Sequence, residues 1–110
     1  MNLDDLVASI SQADLREQLS RWINEWKSDD SDVERLSALI SKWHGNVTFS
    51  NADAQADFFA HFESFRKTAI GGIGGMTVNE RLYWFGLMDQ WDAADEITQK
   101  RLRAKLHAFA

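Results

Sequence analysis

The spacing of large apolar residues constrains this chain more than any other feature. Leu15, Leu19, Trp22, Ile23 and Trp26 fall at i, i+4, i+7, i+8 and i+11, which gathers them on one stripe of an α-helix but scatters them over both faces of a strand. The pattern recurs. Leu3, Leu6, Val7 and Ile10 predict a short preceding helix that ends near Ser11, whose hydroxyl can cap the next one. Val33, Leu36, Leu39, Ile40 and Trp43 predict a third helix to His44, with Gly45 as its stop. Phe58, Phe62, Phe65 and Ala69, with Phe59 beside them, predict a fourth, and Leu102, Leu106 and Phe109 a last one. Val47, Thr48 and Phe49 have strand character but are too few for more than an extended connection.

Polar residues punctuate the pattern. Ser31 with Glu34, Ser50 with Asp53, and Thr77 with Glu80 have the three-residue offset of a capping box. There is no proline to interrupt a helix and no cysteine, which removes disulfides, thiol nucleophiles and cysteine metal sites. The expected fold is all-α: one domain over residues 1–110, a compact bundle of five to six short helices with brief connections.

Charge is unevenly spread. The net charge is -5, yet residues 1–96 hold all 17 acidic side chains while four of the 12 basic ones, Lys100, Arg101, Arg103 and Lys105, lie beyond them with no acid. An acidic body opposes binding to phosphate backbones and favours a cationic partner, although mild acidity also serves solubility alone. The four cations suit the C-terminal half of a solvated helix, so no nucleic-acid partner is favoured. The N-terminal Met-Asn-Leu-Asp-Asp is acidic where a signal peptide would be basic, and no apolar run approaches the roughly 18 residues of a membrane span. A cytoplasmic location without membrane contact is expected.

Catalytic chemistry finds little footing. His44, His61 and His107 lie on different predicted elements with no ligand-pair spacing, so no metal site is expected. Gly71, Gly72, Gly74 and Gly75 precede a helix, but the lysine and the strand of phosphate-binding loops are missing, and the segment reads as an interhelical hinge. Asp89 and Asp92, at i, i+3, make a like-charged surface pair as readily as an acid–base pair. No catalytic residue and no cofactor is assigned, and the chain reads as a non-enzyme.

Residues 78–94 read as one helix that is apolar nearly all round. Val78, Leu82 and Phe85 form one row and Trp84, Leu87, Met88 and Trp91 another, leaving Asn79, Gly86, Gln90 and Ala93 as the sector without large apolar groups. Such a helix is central or meets a partner. Glycine in a helix interior costs about 1 kcal/mol, so a close backbone approach is expected at Gly86. Glu80, Arg81 and Asp89 fall within or between the apolar rows and need partners inside the bundle or on another protein. Five tryptophans are many for 110 residues; most fill the core, and Trp84 and Trp91 are the candidates for interface anchors.

Met76-Thr77-Val78-Asn79-Glu80-Arg81-Leu82-Tyr83, followed by Gly86-Leu87-Met88-Asp89, resembles the NERLY..GL.D segment of small bacterial proteins. Similar small acidic helical proteins include immunity proteins of contact-dependent and other polymorphic toxin systems. The resemblance covers residues 76–92 and carries no catalytic residue with it. It implies a protein-binding module that occludes a basic toxin domain through an acidic surface. Asp29, Asp30, Asp32 and Glu34 are the first candidates for that surface, and Asp89, Asp92, Asp95 and Glu96 the second. Solvated loop and capping charge explains each residue of the first group better when taken singly. The alternative function is a small regulatory or structural protein that homo-oligomerises through the aromatic 78–91 helix.

Overall fold

The computed structural model describes residues 1–108. Among them, seven α-helices follow one another: α1 (Leu3–Ala8), α2 (Ala13–Ser28), α3 (Val33–Asn46), α4 (Ala52–Phe65), α5 (Val78–Trp84), α6 (Met88–Ala93) and α7 (Glu96–Lys105). No strand occurs among the described residues, so the all-α expectation holds, with one or two more helices than the sequence suggested. The bundle measures 44 × 25 × 19 Å.

The predicted stripes form the core. Leu15, Leu19, Ile23 and Trp26 of α2 are buried, as are Val33, Leu36, Ile40 and Trp43 of α3 and Phe58, Phe62 and Phe65 of α4. Leu3, Leu6 and Ile10 close one side, while Leu82, Phe85, Leu87, Leu102 and Leu106 bring the C-terminal helices onto the same apolar cluster. Phe49 lies in the extended connection before α4, buried against the edge of Trp43. Phe109 lies outside the described residues.

Helix starts shift by one residue where two capping residues compete. Asp32, not Ser31, caps α3 by accepting from the Arg35 amide, and Asn51, not Ser50, caps α4. The start of α2 has no side-chain cap, so Ser11 does not play that part. Thr77 and Glu80 form the expected reciprocal box. α3 runs past Gly45 to Asn46, and α4 continues into one π-helical turn, Arg66–Ile70, before the glycines. A β-carbon on Gly72 would lie 2.5 Å from the Thr68 carbonyl oxygen, so this turn needs glycine. The following Ile73–Gly75 turn buries Ile73, so the segment expected as an interhelical hinge carries one core residue between its glycine pairs.

The largest departure lies in residues 78–94. The expected single helix is two, α5 and α6, broken at Gly86 with φ of 66°. A β-carbon there would sit 2.5 Å from a carboxylate oxygen of Asp4. The close approach anticipated at Gly86 is therefore real, but it ends a helix where the sequence suggested an interior position. The break also divides the expected continuous strip of Asn79, Gly86, Gln90 and Ala93.

Candidate protein-binding surface

The two acidic segments occupy different settings. Residues 29–34 form the corner between α2 and α3, and α7 closes over it. Lys105 is 1% exposed despite its charge. Its Nζ donates to the Trp26 and Ser31 carbonyls and lies 3.2 Å from Asp29 Oδ1 and 4.1 Å from the centre of the Trp26 ring. Arg101 donates to the carbonyls of Ser28 and Asp29, and its guanidinium is 3.9 Å from Asp30. Cations on the carbonyls at the end of α2 are placed where the helix dipole favours them. His107 Nε2 lies 2.9 Å from Asp32 Oδ2.

These contacts change the corner's chemistry. Burial alone would raise the Asp29 pKa, but hydrogen bonds from Ser31 and Lys105 outweigh it and hold the carboxyl below its ordinary value. Asp32 is likewise lowered, first by the hydrogen bond with His107 and then by the Arg35 amide. Burial pushes the Lys105 ammonium down from its ordinary value, against the opposing pull of Asp29. Of the cations expected on a solvated face, Lys105 is instead the buried counter-ion of Asp29, while Arg101 stands at 3.9 Å from the exposed Asp30. Glu34 stays exposed. Asp29 and Asp32 thus serve contacts within the fold, although their side chains stay 52% and 39% exposed.

The second group remains open. Asp89 and Asp92 lie on α6, and Asp95 and Glu96 begin α7; all four residues are exposed. Asp95 caps α7 by accepting from the Thr98 amide, which lowers its pKa. The side chains of Asp89, Asp92 and Glu96 make no ion pair or hydrogen bond among the described residues. Beside them Ile97 is 80% exposed and Met88 is partly so. An isoleucine that exposed gains nothing from the fold.

Trp84 and Trp91 are half-buried against the core. Trp91 carries the Arg103 guanidinium over its ring at 5.4 Å, and Trp84 packs between Phe65 and Tyr83. Tyr83, not among the interface anchors expected from the sequence, is 54% exposed; next to Trp84 in the sequence, it was an aromatic the sequence could have offered. Arg81 finds its partners inside, donating to the carbonyls of Met76, Leu106 and His107. Among the described residues no group of three or more His, Asp or Glu converges as metal ligands would, and no helix is long and apolar enough to cross a membrane. Comparison of the chain with protein-family models, with curated proteins and with solved structures finds no match in any of the three.

Proposed function

We infer that this chain is a non-enzymatic protein-binding module, an immunity-type protein that occludes a basic toxin domain in the cytoplasm through the α6–α7 edge. The observation that carries the reading is the set of carboxylates Asp89, Asp92 and Glu96, which lack internal counter-ions among the described residues, with exposed Met88 and Ile97 next to Asp89 and Glu96 in the chain. Unpaired carboxylates steer a cationic surface into contact, and a projecting apolar side chain gives the encounter a desolvated centre. The 29–34 corner adds negative field, with Asp29 and Asp32 also engaged by Lys105 and His107.

The test is co-expression with the toxic C-terminal domain encoded by an adjacent reading frame. Protection of the cells and a purified complex support the reading. The D89K/D92K/E96K variant should lose both while keeping its helical spectrum, and unchanged affinity in that variant would reject the surface. A second reading, homo-oligomerisation through the aromatic 78–91 segment, draws on the exposure of Tyr83 and Met88. Sedimentation of the isolated chain separates the two, because a monomer at all concentrations removes self-association.

A further inference from the structure

α2 and α3 pack side by side and leave a groove on their outer face. Trp22 and Leu39, both partly buried against the core, belong to it, together with the exposed Ala38, whose short side chain leaves room between its neighbours. Glu25, Arg35 and Lys42 line it as well, around a volume of about 470 Å³.

The polar inventory of the groove is lopsided. Neither Arg35 nor Lys42 makes an ion pair or a side-chain hydrogen bond among the described residues, and the indole N–H of Trp22 has no acceptor there. The other two buried-stripe tryptophans differ: Trp26 donates to the Asp32 carbonyl and Trp43 to Gln18. Two cations and one indole donor therefore stand open against a single carboxylate, Glu25. Arg35, Ala38, Leu39 and Lys42 follow i, i+3, i+4 and i+7, so the two cations stand one at each end of an apolar step on α3. In a chain of net charge -5 this is a local reversal of sign.

We propose that the α2–α3 groove is a docking site for an acidic amphipathic helix of a partner protein, with leucine-like side chains on Trp22 and Leu39 and carboxylates on Arg35 and Lys42. Helix-in-groove recognition uses this chemistry, with apolar anchors spaced by helical turns and charges setting orientation. The site is of opposite sign to the α6–α7 edge and stands independently of the function assigned to that edge.

The probe is a short capped helical peptide of leucine and glutamate, titrated into the full chain beside a leucine–lysine counterpart and followed by NMR. The glutamate peptide should shift the Trp22 indole N–H and the amides of residues 35–42, and the lysine peptide should leave them in place. R35E/K42E should weaken glutamate-peptide binding by about tenfold. A38W, which fills the floor without changing charge, should block it equally while the circular dichroism spectrum stays that of the parent. Shifts confined to other surfaces, no shifts, or unchanged affinity in both variants would overturn the proposal. Concentration-dependent sedimentation of the chain alone that R35E/K42E abolishes would also overturn it, because the occupant would then be a second copy.

Discussion

Segment 29–34 contains Asp29, Asp30, Asp32 and Glu34, and segment 89–96 contains Asp89, Asp92, Asp95 and Glu96. Each has four acids and each sits where one helix gives way to the next. In the first, Lys105, Arg101 and His107 arrive from α7 and its end to meet the carboxylates and the exposed carbonyls of α2. In the second, Asp95 is used as a cap and the other three face solvent. Local charge density is the same kind of quantity in both places, but availability is decided by residues more than seventy positions away. A partner would meet the second segment as uncommitted charge and the first as charge partly engaged by the fold.

The sharpest way to break this contrast is Lys105→Met, which keeps an apolar stem over Trp26 but removes the donors from Asp29 and two carbonyls. Asp29 keeps its Ser31 donors and the Trp26 carbonyl keeps the Asp29 amide, so the Ser31 carbonyl loses most; stability should fall by about 1–3 kcal/mol in urea unfolding, whereas Lys100→Met on the exposed side of α7 should stay within about 0.5 kcal/mol. Equal effects would mean that the corner is not held by its buried cation.

Asp32→Ala comes next. It removes the cap of α3 together with the His107 contact, and a loss of about 1–2 kcal/mol is expected from the cap alone. Should Asp32→Ala unfold at the same urea concentration as the wild type, the corner carboxylate would count as solvated charge after all.

Acid titration sharpens the same point. Asp29 and Asp32 lie below their ordinary value of 3.8 when folded, so the folded state binds fewer protons than the unfolded chain in the interval between. Their stabilisation is therefore complete above 3.8 and is lost as pH falls through the folded values. D29N/D32N should flatten that acid-side fall, and a slope identical to the wild type would contradict it. A smaller effect per site belongs to D89K/D92K/E96K, which loses no internal contact; lysines in the first turns of α6 and α7 should cost about 0.3–1 kcal/mol each at 89 and 96, and position 92 should cost less. A cooperative loss of structure in this variant would place the edge in the same class as the corner.

Much of the fold was legible because its signals are local. The α2 and α3 stripes needed only their own spacing, and the Thr77–Glu80 box was complete within four residues. The caps at Asp32 and Asn51 were missed by one position because a serine and a better-placed neighbour stand side by side, and final backbone geometry chooses between them. The division of 78–94 into α5 and α6 was hidden because helical periodicity stays continuous across Gly86, while the left-handed backbone is fixed beside Asp4 from the far end of the chain. Among the candidate surface residues, sequence marked both acidic groups and put 29–34 first, with no local sign that Lys105, Arg101 and His107 reach that group from the end of the chain. The burial of Lys105 among oxygens from residues 26–31 has no trace in its own neighbourhood, where it looks like one more helix-surface cation.

The approach of Asp4 to Gly86 carries a consequence for inheritance. Asp4 also pairs with Lys27 at 2.8 Å, so three positions from α1, α2 and the α5–α6 break share one small volume. A side chain acquired at 86 displaces the carboxylate at 4, and the cation at 27 then loses its counter-ion. Among descendants that keep this fold, the acid, the base and the glycine should therefore be retained or exchanged together, as a single unit of variation.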